Sequence, residues 1–254
     1  MKTLFISAAC SDMALQTIEL LRDHYRFVLV ARDAARLDAT INQMELHGSV
    51  ELALACDVRS SAMCESVAAR IASRNLTLDG VVNFAGSLPV RANFMQLDVD
   101  RLMDDFSTRV VGNINLLRHL SPLLEPAASV VLINGILSKM PDADFLCGSV
   151  STAALRSLGK AMARTLASRG IRVNTLNPCA AETKMKDRVF EALSAQSGIA
   201  PDVIQTAVRS KIPLDRLCDP LDVAKAVRFL LSDQSTFITG ASIDVDGGYN
   251  TSLA

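Results

Sequence analysis

No glycine precedes Gly48 in this 254-residue chain, although twelve occur in all. Every turn before that point is made by residues that carry a Cβ. Tryptophan is absent, and the only tyrosines are Tyr25 and Tyr249. The residues four positions after them are Leu29 and Leu253, so no tyrosine–lysine pair lies one helical turn apart. That excludes one common general acid–base arrangement. The six cysteines (10, 56, 64, 147, 179, 218) contain no CxxC, and the three histidines (24, 47, 119) contain no HxxxH. Neither a zinc site nor a disulfide framework is expected, and the cysteines read as buried, reduced thiols of a cytoplasmic protein. The apolar runs are short and broken, far below the ~20 residues of a membrane span. The chain starts on a strand-like segment, with no signal-peptide pattern. A net charge of −1 gives no electrostatic case for nucleic acid or an anionic membrane.

Half of the residues are apolar and only 4% aromatic. That composition suits a buried parallel sheet of Val, Ile, Leu and Ala. Candidate strands are Thr3–Ser7, Phe27–Ala31, Val50–Ala55, Gly80–Asn83, Ser129–Ile133, Arg172–Leu176 and Ser242–Val245. Between them apolar residues recur three or four apart, as in Leu37, Ile41, Met44 and in Val67, Ala68, Ile71. The alternation predicts right-handed βαβ units in an α/β, Rossmann-like, doubly wound parallel sheet of about seven strands, with helices on both faces. A single domain over 1–254 is expected, with no repeat or linker. Three helices stand out. Leu102–Leu120 carries Phe106, Val110, Ile114 and Leu117 along one side. Cys147–Ser168 is rich in small residues, and Leu221–Leu231 precedes the last strand. The segment 184–213 is more polar and irregular, like a lid.

The first turn, Ser7 to Ala14, lies between a strand and a helix over Met13–Arg22. A dinucleotide-binding fold carries its glycine-rich phosphate loop there. An aspartate, Asp12, stands at the helix start, where it can cap the helix and occupy the natural anion site. A pyrophosphate at 4 Å would meet ~4 kcal/mol of opposition at an effective dielectric near 20.

Several local motifs carry a family resemblance over nearly the whole chain. Asn83-Phe-Ala-Gly86, Cys56-Asp57-Val58, Gly170-Ile-Arg-Val-Asn-Thr-Leu-Asn-Pro178, and Thr239-Gly240 with Asp246-Gly-Gly248 stand in order. They resemble the NNAG, CDV, GIRVN…NPG and TG…DGG motifs of the short-chain dehydrogenase/reductase family. The resemblance implies NAD(P)-dependent oxidoreduction. It implies equally that this chain is a degenerate member. The family's TGxxxGxG falls on Ser7, Ala8, Cys10 to Asp12 and Ala14, with all three glycines gone. Its catalytic tyrosine and lysine fall on Gly148 and Thr152, its serine on Gly135 beside Asn134, and its helix asparagine on Arg109. The missing acid–base pair alone is worth ~10²–10⁴-fold in rate.

Some positions are kept as vestiges. Asp57 matches the aspartate that holds adenine, or else caps the next helix. Asn83 belongs to the NNAG match. Thr183 matches the threonine on the nicotinamide amide, or else caps a helix before Lys184. Arg109 can fill the vacated pocket through a carboxylate partner, since buried charges need one. Cys147 is a candidate nucleophile that reads better as a buried thiol. Ser138, Lys139 and Asp144 are a candidate acid–base set that reads better as a solvated loop.

The expectation is therefore no catalytic group, no cofactor and no metal on this chain, with NAD(P) in an active paralogous partner. Assembly through the two long helices, as a heterotetramer, is implied by the family's habit. The chain resembles inactive partner subunits of heteromeric members, among them the dehydrogenase acting on 2-(hydroxyphenylmethyl)succinyl-CoA in anaerobic toluene breakdown and one in aminocoumarin biosynthesis. Two alternatives stay open: a cofactor-independent lyase or isomerase, and a ligand-binding regulator using the degenerate cleft.

Overall fold

A computed structural model describes residues 1–251. Its strands are β1 (Lys2–Ser7), β2 (Tyr25–Ala31), β3 (Val50–Ala55), β4 (Leu78–Asn83), β5 (Leu124–Ile133), β6 (Arg172–Pro178) and β7 (Ser242–Val245). They form one sheet in the order β3-β2-β1-β4-β5-β6-β7, and every pairing is parallel. The order reverses between β1 and β4, and such a switch point opens a crevice beyond the strand ends.

The helices are α1 (Asp12–Leu21), α2 (Ala34–Gln43), α3 (Ser61–Ser73), α4 (Val99–Phe106), α5 (Gly112–Leu120), α6 (Leu146–Leu166), α7 (Lys184–Ser197), α8 (Pro201–Arg209) and α9 (Pro220–Leu231). Strand residues alternate between two cores because successive side chains point to opposite faces. Leu4, Ile6, Phe27 and Leu29 pack with Ile18 of α1, Leu37 of α2 and Val227 of α9. Phe5, Val28 and Val30 pack with Ile71 of α3, Leu116 of α5 and Leu155 of α6. Each fully buried Leu, Ile or Phe contributes ~1.5–3 kcal/mol over its exposed state. Small residues do let α6 close on the sheet: a Cβ on Gly159 would lie 2.9 Å from Thr175 Cγ2.

Two expectations need correction. The helix expected over Leu102–Leu120 is α4 and α5 joined by a π-helical turn, Ser107–Val111, with Arg109 at its centre. Its apolar stripe is mostly internal. Val110 and Leu117 are buried, Phe106 packs partly against the core, and Ile114 alone of the four is exposed. The segment 184–213 is not irregular. Thr183 caps α7, Gly198 ends it in the left-handed region at φ 72°, and Pro201 opens α8 at a position where its missing N–H does no harm. No helix among the described residues is long and apolar enough to cross a membrane.

Candidate functional site

The first turn keeps its tight path without glycine. Ala8 adopts a left-handed conformation, φ 47°, where an L-residue costs ~1–2 kcal/mol. Ser11 N–H donates to Ala8 O at 2.9 Å, and Arg36 Nη2 donates to Cys10 O at 3.1 Å. Asp12 does not cap α1. The N-cap is Ser11, whose side chain makes no capping bond and whose Oγ is buried and unpaired. Asp12 is the first helical residue, and its carboxylate turns to another helix: Oδ2 accepts the N–H of Lys184, at the start of α7, at 2.7 Å. Ala14 is fully buried in the α1 core.

Behind this turn the strand ends are tied by buried amides. Ser7 Oγ donates to Asn83 Oδ1, which also accepts the N–H of Ala85 at 3.0 Å. Asn83 Nδ2 donates to Asn113 Oδ1 at 2.6 Å, and Asn113 Nδ2 donates to Arg109 O at 2.6 Å. Asn83 thus links the ends of β1 and β4 to the π turn.

Asp57 does not cap α3, whose N-cap is Ser60. Arg59 folds back on Asp57, with Nη2 2.6 Å from Oδ2 and Nε 3.1 Å from Oδ1. Its Nη1 reaches Asp104 Oδ1 at 2.8 Å. Hydrogen bonding from Arg59 holds the Asp57 carboxyl below the usual aspartate range. Thr183 Oγ1 accepts from Lys186 N at 3.2 Å, the capping role open to it in the sequence.

Of the four positions matched to the family's catalytic groups, Gly135, Gly148 and Thr152 meet at the start of α6, and Arg109 of the π turn reaches α6 through Asp105 and Ser151. Arg109 is buried, and its Nε lies 3.0 Å from Asp105 Oδ1, one helical turn earlier. Nη2 donates to Ser87 O at 3.0 Å. Asp105, buried in turn, also accepts from the hydroxyls of Ser87 and Ser151. The guanidinium lies against Gly86, where a Cβ would come 3.2 Å from Nη1. Thr152 is buried, and its Oγ1 donates back to Gly148 O at 2.6 Å. A Cβ on Gly148 would meet Leu137 Cδ1 at 3.0 Å, and one on Gly135 would touch Thr152 Cγ2 at 3.7 Å.

Sequence reading missed Asp105, Ser87 and Ser151. The spacing of four between Asp105 and Arg109 was an available signal.

The remaining candidates are not brought together. Ser138 is buried and donates to Asn177 Oδ1 at 3.2 Å. Lys139 Nζ pairs with Asp244 at 3.0 Å, with both side chains largely buried. The loop is therefore not simply solvated. Asp144 is apart from both, in a surface pair with Arg91 at 2.7 Å. Cys147 is buried, and burial pushes its thiol up, helped by the charge of Asp105. Asn134 Nδ2 donates to Thr152 O at 3.1 Å and to Asn177 Oδ1 at 3.2 Å, while its Oδ1 is buried without a partner. No cluster of three or more His, Cys, Asp or Glu among the described residues is placed to hold a metal ion.

The family model described as enoyl-(acyl carrier protein) reductase matches residues 13–250. The chain belongs to the short-chain dehydrogenase/reductase family. Among curated members of the family it is 28% identical over 248 residues to cis-4-hydroxycyclohexanecarboxylate dehydrogenase of Sinomonas cyclohexanicum, covering 96% of this chain and 94% of that one. It is 30% identical over 206 residues to an uncharacterized short-chain type dehydrogenase/reductase of Sinorhizobium fredii, covering 80% of this chain but only 35% of that longer protein. Among solved structures, a short-chain oxidoreductase from Pseudomonas aeruginosa PAO1 superposes with a TM-score of 0.88 at 26% identity, over 99% of this chain and 98% of that one. That protein is described as containing an atypical catalytic centre.

Proposed function

We propose that this chain is a catalytically silent member of the family that supports an active, NAD(P)-dependent paralogue in an oxidoreductase complex. One observation carries the reading. The positions of the family's proton-transfer groups hold Gly148, Thr152, Gly135 and Arg109, and none offers a proton that moves near neutral pH. Thr152's hydroxyl is spent on its own helix. The guanidinium of Arg109 is committed to Asp105 and Ser87.

The residues present do not fit a dinucleotide. The carboxylate that would take the adenine amine is occupied by Arg59. A carboxylate, Asp12, stands where the pyrophosphate would lie. Calorimetry with millimolar NAD and NADP is expected to show no binding to the chain alone, and micromolar affinity for either would overturn this part of the proposal.

The partner is a paralogue with intact glycine and tyrosine–lysine motifs, in a heterotetramer of two chains of each kind. The outward apolar residues available to it include Val99 and Met103 of α4, Ile114 of α5 and Val150 of α6, each 42–62% exposed. Phe106, packed against its own core, is not among them. Replacing Ile114 by glutamate is expected to release the paralogue in co-purification while the chain stays folded, because the site is exposed in the monomer. Undiminished co-purification would remove this surface from the proposal. The resemblance to the silent subunit of the 2-(hydroxyphenylmethyl)succinyl-CoA dehydrogenase makes that oxidation a candidate reaction for the complex.

A second reading is a ligand-binding regulator, and one feature favours it. The unpaired Asn134 Oδ1 lies beside Gly135 and Thr152, and an unsatisfied buried acceptor wants a donor. A regulator would act without any paralogue, which co-purification distinguishes.

A further inference from the structure

The contact between Asp12 and Lys184 joins positions 172 residues apart in the chain. Asp12 follows β1 and Lys184 follows β6, with β4 and β5 between them in the sheet. At ~4.8 Å per strand, those two chain exits are about 14 Å apart. The chain after β6 covers that distance alongside the start of α9, where Ala181 pairs with Cys218 and Glu182 N–H donates to Cys218 O at 2.9 Å.

The contact is chemically well matched. The first N–H groups of any helix lack partners within it. In α7, Lys186 N–H is met by Thr183 Oγ1 and Lys184 N–H by Asp12 Oδ2. Asp12 is also the first residue of α1. One carboxylate thus faces the positive ends of two helices, which favours its charge at both. An open groove of about 440 Å³, lined by Asp12, Gln16, Thr183, Lys184 and Pro220 among others, runs along the contact. The bond can therefore open to water without disturbing either core.

We propose that Asp12 is a strap that holds the helical segment beginning at Lys184 against the starts of α1 and α9, in the chain alone and without a ligand. This goes beyond silence in catalysis and does not depend on it, since a strap would hold the segment whether or not a cofactor can enter. It gives the first-turn aspartate a positive role: it fixes the start of a helix pair, α7 and α8, in which Phe190 is the one buried residue.

The test uses hydrogen exchange of the first turns of α7, followed in peptides spanning Met185 to Phe190. Asp12→Ala removes the acceptor. Lys184→Pro removes the donor N–H at the first helical position, where proline is tolerated, and Thr183 before it is already extended at φ −139°, ψ 156°, as proline requires. Each substitution is expected to speed exchange there about tenfold, equivalent to ~1.4 kcal/mol. The double variant should exchange no faster than either single one. Asp12→Asn, which keeps an acceptor, should lie nearer the wild type than Asp12→Ala does. Unchanged exchange in Asp12→Ala, or additive effects in the double variant, overturns the strap. Circular dichroism of each variant separates loss of the strap from loss of the fold, and an unfolded Lys184→Pro leaves the Asp12→Ala and Asp12→Asn pair to decide.

Discussion

Asp104 and Asp105 are neighbours on α4, and each meets an arginine where the family keeps a functional position. Asp104 shares Arg59 with Asp57 at the adenine end, and these side chains are 26–54% exposed. Asp105 holds Arg109 at the catalytic end, where the two side chains are 10–11% exposed. The chemistry is the same, and the surroundings decide its weight. An exposed pair is worth about 0–1 kcal/mol because water and salt compete for both partners. A buried pair contributes little net stability against an apolar replacement, yet breaking it strands a charge and costs ~3–5 kcal/mol. The Arg59 pairs can therefore open readily, and the Arg109 pair is locked into the fold.

The largest effect that can break this contrast is at Asp105. Asp105→Ala leaves Arg109 buried without a counter-charge and leaves the Ser87 and Ser151 hydroxyls without their acceptor. A loss of ~3–5 kcal/mol in urea unfolding is expected. The double replacement Asp105→Leu with Arg109→Met should recover most of it, because an apolar pair of similar volume needs no compensation. A single variant that loses under ~1 kcal/mol would mean that water reaches the pair and that the two ends do not differ.

The sheet was legible in the sequence because burial on both faces forces continuous runs of branched residues, and all seven expected segments are strands. Five strands extend further than expected: Lys2, Tyr25, Leu78, Leu124 and Pro178 continue the pairing of β1, β2, β4, β5 and β6 without a clean apolar pattern. The absence of a tyrosine–lysine pair was legible too, since it is read from the sequence alone. Which groups replace the missing ones was not. The fate of Asp12 depends on a backbone N–H 172 residues away, which no local pattern encodes. Arg59 reads locally as a loop residue, and only the placement of α4 supplies Asp104. Asn83 matched a motif, and its use here is a bonded path from Ser7 to Asn113 that crosses two strands and a helix.

A smaller effect sharpens the exposed side of the comparison. Arg59→Ala should cost at most ~1 kcal/mol, and the difference from wild type should shrink as salt is raised. Its pH dependence has a definite sign. Because Arg59 lowers the Asp57 carboxyl in the folded chain, the stabilisation is present above the unfolded value of ~3.9 and is lost as pH falls through the folded one. Wild type and Arg59→Ala should therefore differ at pH 7 and converge towards pH 2 in thermal melts. A difference that persists at low pH would point to packing of the arginine stem instead.

The smallest expected effect concerns Ala8, and it separates the shape of the first turn from its charge. The left-handed conformation disfavours a Cβ by ~1–2 kcal/mol, while glycine adds ~0.5–1 kcal/mol of lost entropy on folding. Ala8→Gly should then leave stability unchanged or raise it by up to ~1 kcal/mol, seen as a small rise in melting temperature. Part of the Cβ also packs against both cores, which works against the gain. The informative measurement is dinucleotide binding by this variant. If the Cβ alone kept the cofactor out, restoring glycine would restore affinity. With Asp12 still bonded to Lys184 N–H and Arg59 still on Asp57, calorimetry should remain flat for Ala8→Gly. Under the same logic Asp12→Gly in addition should free the helix end but not the adenine end, so NAD affinity should return at best weakly until Arg59 is also removed. Tight binding by Ala8→Gly alone would show that the Ala8 Cβ, and not Asp12 or Arg59, was the barrier.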